Sequence, residues 1–180
     1  MIDYPFTYLD TNFALEQARG ASLFIRAGKG RLSFLITDDD RVLAWKDQCG
    51  ADELLAHSEL MHILTAPYKK TLLGILPDAL FVLPTVLFAP GDIATYARYL
   101  DVKPDDSVFV AALDDENQLL YKADNVVLKP LSADFNLQAA VPADKGWINA
   151  IATTNPADSH LYLNISGQQA AFLNFRHSKL

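Results

Sequence analysis

The sequence predicts an α/β fold: a mixed sheet that opens with a three-stranded antiparallel meander and carries helices packed on it. Three observations predict it. Short apolar runs near the N-terminus are parted by glycine and aspartate turns, the signature of paired strands. From Pro90 onward, Ile93, Tyr96, Ala97 and Leu100 fall at helical spacing. The opening pattern then returns 138 residues on, at Leu161 for Leu23. Leu23-Phe24-Ile25 and Phe34-Leu35, parted by a glycine turn, are echoed by Leu161-Tyr162-Leu163 and Phe172-Leu173 around Gly167. With one residue deleted near the second turn, Leu43 meets Leu180, so a third strand begins in both copies.

Residues 1–20 show no clear period. Ala21 to Ala27 is an apolar strand, Gly28-Lys29-Gly30 supplies turn chemistry, and Arg31 to Thr37 returns with Leu32, Phe34 and Ile36 on one face. Asp38-Asp39-Asp40 turns the chain into a third strand, Arg41 to Lys46. A helix follows from Gly50-Ala51-Asp52, with Asp52 placed to cap it. Leu54, Met61 and Leu64 share its inner side with Leu60 close by, and Pro67 ends it. Leu72 to Leu76 and Ala79 to Leu83 read either as one kinked strand or as a strand pair, divided by Pro77-Asp78. Pro90 suits the first position of the next helix, because its missing N–H costs nothing there. Ser107 to Leu113 and Gln118 to Ala123 form a hairpin around Asp114 to Asn117, and Val126 to Leu128 begins a further apolar piece. Residues 130–158 carry Pro130, Pro142, Gly146 and Pro156 with weak periodicity, and read as a connector with at most one short helix near Trp147 to Ala152. The second meander opens at His160 and reaches Leu180 with no third strand completed. A strand pair is marginal alone in water, so this segment must pack on the first domain, pair with another chain, or belong to a longer protein.

Length and composition bound the function. A chain of 180 residues holds one full domain, or one domain and part of another. With 51% apolar and 21% charged residues it has an ordinary globular core to bury. A net charge of −7 argues against a general nucleic-acid binder and against docking on anionic membranes. Cys49 is the only cysteine, which rules out an intrachain disulfide and a cysteine metal site and fits a reducing cytoplasm. The N-terminus shows no signal peptide, and the longest apolar run, Ala79 to Ala89, is cut by Pro84 and too short to span a bilayer.

The rhythm of three strands, a helix, more strands, a helix and a second three-strand start resembles the actin, sugar-kinase and heat-shock-chaperone superfamily, with its ribonuclease-H-like fold. More narrowly, the chain resembles an uncharacterised bacterial family of unknown function with an actin-like ATPase fold. The matching residues are Leu23-Phe24-Ile25 with Leu32 to Ile36, Leu80 to Pro84 with Leu87-Phe88, the helix Tyr96 to Leu100, Asn117 to Lys122, and His160 to Ile165. Together they span most of the chain in order, although none is diagnostic alone. The resemblance implies a first actin-like domain over residues 1–130, a connector over 131–157, and the opening strands of a second, incomplete domain over 158–180. Family members are expected to run on into a complete second domain.

The resemblance also implies where chemistry would sit. Actin-like ATPases hold phosphate and Mg²⁺ between two hairpin loops, because Mg²⁺ wants carboxylate oxygens and phosphate wants close backbone N–H groups. The matching loops here are Arg26 to Arg31 and Asn164 to Gln168. The first has glycines and cations but no carboxylate, and the second has Asn where an acid would help. Gly28, Lys29, Gly30 and Arg31, with Ser166 and Gly167, are therefore the candidate nucleotide or anion site. Turn chemistry alone accounts for the glycines, and Gly-Lys-Gly is not a P-loop, which must open a helix.

The remaining motifs give no catalytic or metal residues. His57 and His62, five apart, do not share a helix face. Asp38 to Asp40 and Asp114 to Glu116 lack the spacing of a calcium loop and read as solvated turns. Cys49 precedes Gly50 near a helix start, where a thiolate could be stabilised, yet it reads better as a small buried residue. The sequence thus points to a non-catalytic cytoplasmic protein-interaction or scaffold module with no cofactor. Its partner is an unknown protein or a second copy paired through a free strand edge. The rival is an ATP-binding protein, with Mg²⁺, built on a degenerate phosphate loop.

Overall fold

Alternation of apolar side chains along the opening segments builds a sheet with one sealed face. The computed structural model describes residues 6–28, 30–50, 53, 57–124, 139–166 and 169–175. In chain order its strands are β1 (Tyr8–Leu9), β2 (Ser22–Gly28), β3 (Arg31–Asp38), β4 (Arg41–Gly50), β5 (Lys70–Ile75), β6 (Ala79–Pro84), β7 (Asp106–Ala112), β8 (Asn117–Asp124), β9 (Ala139–Pro142), β10 (Leu161–Ser166) and β11 (Gln169–Asn174). The α-helices are α1 (Ser58–Leu64), α2 (Ile93–Ala97) and α3 (Ala143–Ala152).

The principal sheet runs β1-β4-β3-β2-β5-β9. β2, β3 and β4 form the antiparallel meander read from the sequence, while β2, β5 and β9 run parallel. Leu23, Ile25 and Ala27 of β2 and Leu32, Phe34 and Ile36 of β3 point to one side. There they join Leu60 and Leu64 of α1, Ala18 and Tyr68 in one core. Of the helix face expected at Leu54, Met61 and Leu64 with Leu60 close by, Leu64 and Leu60 are buried and Met61 is half-buried, whereas Leu54 and the Asp52 cap lie outside the described residues, as does Val126 to Leu128.

The two runs on either side of Pro77-Asp78 are neither a kinked strand nor a strand pair. β5 belongs to the principal sheet, and β6 belongs to a second sheet ordered β6-β8-β7. Leu76 closes the first ladder by donating its N–H to Ala27 O, and Asp78 opens the second by donating to Lys122 O. Proline between them cannot donate to either ladder, which makes it a natural division. The β7–β8 hairpin turns at Asp114, whose Oδ1 accepts from Glu116 N at 2.8 Å and from Asn117 Nδ2 at 3.1 Å. The acidic triplet is thus a side-chain-closed turn. Lys122 and Asp106 form an ion pair across β7 and β8 at 2.9 Å, with each side chain 8% exposed.

Residues 90–100 turn as expected but tighten at both ends, into 3-10 turns at Pro90–Asp92 and Arg98–Leu100 around the short α2. Leu100 is buried, with Ile93, Tyr96 and Ala97 half-buried on the predicted side. The stretch read as a connector supplies more than one short helix. Its strand β9 extends the principal sheet beside β5, and the ten-residue α3 follows at once. A second core gathers Ile148 of α3, Leu119 of β8, Leu113, Leu173 and Phe175, with Trp147, Ile151 and Tyr162 against it. Among the described residues no helix is long and apolar enough to cross a membrane.

Candidate functional site

The predicted turn residues lie where two strands close. Gly28 and Arg31 are the last pair of β2–β3, and Gly30 sits between them at φ +71°, a conformation glycine adopts without strain. Lys29 lies outside the described residues. Gly28 has a reason of its own: a Cβ there would meet the Leu76 Cβ at 2.5 Å and the Leu76 carbonyl oxygen at 3.1 Å. Its bareness answers to the chain leaving β5. Arg31 donates from Nη1 to Gln48 Oε1 at 3.1 Å, which ties the cation to β4. In the second copy Ser166 ends β10 and pairs with Gln169, while Gly167 lies outside the described residues.

The carboxyl ends of β2, β5 and β9 form the edge where open α/β sheets usually receive ligands. Asp144 stands there, in the first turn of α3 directly after β9. Burial pushes its carboxyl above the ordinary range, and the positive charge of Arg26 on β2 draws it part of the way back. Gly74 lets this helix come close, since its Cβ position lies 3.5 Å from Ala143 Cβ. The weak periodicity of residues 130–158 puts the helix near Trp147, so the sequence pattern does not single out Asp144. The signal was Pro142 followed by an acid in the next turn, the usual mark of a helix start. Among the described residues, no group of three or more His, Cys, Asp or Glu is placed to hold a metal ion.

Cys49 lies on β4, fully buried, and burial together with the charge of Glu53 pushes its thiol up to about 11. It therefore behaves as a small core residue, as its lack of a motif suggested. A shallow hollow of about 400 Å³ lies along α1 between Ser58, Glu59, His62 and Ile63, remote in sequence from the glycine turns and β9.

The most distinctive surface is on β10–β11. Leu161, Leu163 and Ile165 alternate along β10, and Phe172 stands opposite Leu163 on β11. These four side chains are 63%, 49%, 69% and 66% exposed. The opposite face, with Tyr162 and Leu173, packs into the second core. Tyr162 also meets Phe175 edge-on, with ring centroids 6.0 Å apart.

Comparison with known proteins places this fold. Residues 10–180 match the family described as "Protein of unknown function (DUF3822)". The chain belongs to the DUF3822 family. A crystal structure from Bacteroides thetaiotaomicron VPI-5482, described as a protein with actin-like ATPase fold and unknown function, superposes with a TM-score of 0.75 at 12% identity. The match covers 93% of this chain and 70% of that one. The cytoplasmic domain of EpsL, an inner membrane component of the type II secretion system of Vibrio cholerae, gives a TM-score of 0.47 at 15% identity over 86% and 71% of the two chains. No curated protein matches this DUF3822 chain. The fold is actin-like, and its mixed sheet with few helices is the one expected from the sequence.

Proposed function

We propose that this protein is a cytoplasmic protein-interaction module of actin-like fold, acting by binding another protein through β10–β11. The observation that carries the reading is the row of Leu161, Leu163, Ile165 and Phe172, four large apolar side chains open to water on one strand pair. Contiguous exposed apolar surface of this kind marks interaction sites on soluble proteins. The buried, unpaired thiol of Cys49 is in keeping with a reducing compartment. We read the two hairpins as copies of one ancestral unit, since their strand pairing matches residue for residue at the 138-residue spacing.

The test is comparative capture from a lysate of the source organism. Wild type is expected to retain one stoichiometric partner, and Phe172→Asp is expected to lose it. Tyr99→Asp, at an exposed residue elsewhere, should keep it. A partner held equally by all three would refute the assignment to β10–β11.

Asp144 beside Arg26 favours a second reading, ATP binding at the carboxyl edge of β2, β5 and β9. In that reading Gly28, Lys29, Gly30, Arg31, Ser166 and Gly167 would face phosphate. The described donors do not suit a magnesium cradle: Gly28 is filled by Leu76, Arg31 is held by Gln48, and Asp144 is a single acid. Calorimetry with ATP and Mg²⁺ separates the readings. Micromolar heats abolished by Lys29→Ala, Gly30→Val and Asp144→Asn would overturn the interaction reading.

A further inference from the structure

The longest apolar run in the sequence, Ala79 to Ala89, belongs neither to the glycine turns nor to β10–β11. The fold lays its first half along the edge of the second sheet, as β6. β6 lies in mid-chain, and the segments on both sides of it are described. Pro77-Asp78 leads in from the principal sheet, and residues 85–105 return over one face to begin β7. On that face Tyr99 meets Phe81 edge-on, with ring centroids 6.1 Å apart. On the other, Leu80 and Val82 pack against the second core. What stays open is the edge: Ala79 to Leu83 are each half-buried, whereas Leu119 and Leu120 of the central strand β8 are buried. Thr85 donates its N–H to Glu116 O, and antiparallel pairing turns alternate residues inward. Phe81 and Leu83 therefore turn their backbone groups to β8, and Leu80 and Val82 turn theirs outward. Among the described residues no strand pairs with that side.

Sheet edges are usually blunted by shortness, charge or cover. β1 and β9, the edges of the principal sheet, hold two and four residues. On β7 the Lys145 ammonium donates to Ala112 O. Ala79 to Leu83 carry no charge at all, and only Pro84, whose missing N–H faces outward, limits the edge.

We propose that the protein forms a two-fold dimer in which β6 pairs antiparallel with β6 of a second copy, with Phe81 at the axis. The strand is complementary to itself in that register. Leu80 of each copy stands opposite Val82 of the other, so the outward N–H and C=O groups of both residues find partners. An axis through Val82 would set Leu80 against Pro84, which has no N–H to give. Directly opposed residues share a face, so the two sheets continue as one. The two Phe81 rings meet with a Tyr99 beside each. Charge favours the same contact: copies of net charge −7 repel, and an uncharged edge is where they can approach. The dimer goes beyond the interaction reading and uses a surface apart from β10–β11.

The test is analytical ultracentrifugation of residues 1–180 over a concentration series, with hydrogen exchange alongside. A reversible dimer is expected, dissociating on the order of 10 μM, since one strand edge makes a small interface. The Leu80 and Val82 amides should exchange more slowly as the dimer forms. Tyr99→Asp and Tyr99→Lys should each weaken the dimer about tenfold or more, because the axis sets each new charge near its own copy. Mixing the two variants should restore association as a heterodimer, and Phe172→Asp should leave the dimer unchanged. Tyr99 is 78% exposed, and unaltered circular dichroism confirms that its variants fold.

A monomer at every concentration would overturn the proposal. So would a dimer that Tyr99→Asp leaves intact and Phe172→Asp dissolves, which would move self-association to β10–β11. A dimer whose Leu80 and Val82 amides exchange as fast as in the monomer would take β6 out of the interface. If a longer natural polypeptide stays monomeric with those amides protected, the edge is covered within one chain and a second copy is not its occupant.

Discussion

β2–β3 and β10–β11 pair their strands identically and bury opposite faces. In the first hairpin Leu23, Ile25, Phe34 and Ile36 are sealed in, while Phe24 on the other face is 37% exposed. In the second the equivalents of the sealed residues stand in water, and the equivalents of Phe24 and Leu35, namely Tyr162 and Leu173, enter a core. Pairing and turn are local matters, fixed by strand-forming residues and a two-residue turn. Which side becomes core depends on which other elements of the chain pack against it. α1 arrives over the first hairpin, and α3 with β8 arrives under the second. On the outer face of β2–β3 Phe24 and Leu35 stand among Ser22, Arg26, Ser33 and Thr37, whereas the open face of β10–β11 carries no charged residue.

The two hairpins differ most at their equivalent leucines. Leu23→Ala should cost about 3 kcal/mol in urea unfolding, because it opens a cavity in a closed core. Leu161→Ala should cost less than about 0.5 kcal/mol, since that side chain already meets water. On the other face the order inverts: buried Leu173→Ala should cost about 2–4 kcal/mol, and half-buried Leu35→Ala distinctly less. Equal losses at Leu23 and Leu161 would mean that the second hairpin is covered in solution.

The sheets beneath the hairpins differ in how they hold charge. Lys122 with Asp106 is almost fully enclosed, and Lys122 Nζ also donates to Asp101 O at 2.7 Å. Arg41 pairs with Asp10 from the open surface. Removing one member of an enclosed pair strands the other, so Lys122→Met should lower the unfolding midpoint far more than Arg41→Met. Asp106 titrates below its ordinary 3.8, first because Lys103 N–H bonds it and then because of Lys122. A depressed carboxyl contributes stability that is present above pH 3.8 and lost as pH falls through the folded value. The deficit of Lys122→Met relative to wild type should therefore shrink in the same acid window. A deficit that stays constant down to the acid transition would place the effect in packing instead.

The residues that close the two turns also differ in what surrounds them. Gly28 is pressed by Leu76 because β5 lies beside β2, whereas β10–β11 is two-stranded among the described residues. Gly28→Ser should cost about 1–3 kcal/mol through overpacking, and Ser166→Gly under about 1 kcal/mol through chain entropy. Thermal melts showing the two exchanges equally tolerated would remove Leu76 as the reason for the first glycine.

The same contrast explains what was legible in the sequence. Strand pairing could be read because Leu32, Phe34 and Ile36 alternate and Gly28-Lys29-Gly30 punctuates. Burial of Leu64, with Leu60 close by, could be read from helical spacing. β9 could not, because the four neutral residues Ala139–Pro142 take their strand form from the neighbouring β5. The division of β5 from β6 was hidden because both are apolar and only partners tell their sheets apart. Of the candidate site, the turn positions were visible, whereas Asp144 was not, since its nearness to Arg26 joins residues on β2 and α3 that only the fold brings together.

Asp144 gives the smallest effect and the most specific one. Burial raises its folded-state carboxyl above the unfolded 3.8, despite the pull of Arg26 and of its own backbone N–H. Between the two values the folded protein binds more protons than the unfolded chain, so stability falls as pH rises through that window and levels off above it. The sign is opposite to that of Asp106. Asp144→Asn should remove this fall and leave the protein slightly more stable at neutral pH, read as a small rise in melting temperature. The equivalent reach of the second hairpin ends at Ser166 and supplies no titrating group of its own, so the slope should be unaffected by Ser166→Ala. If Asp144→Asn instead destabilises the protein at every pH, the carboxylate is held by its bond to the helix terminus, and its charge near Arg26 is a net gain rather than a cost.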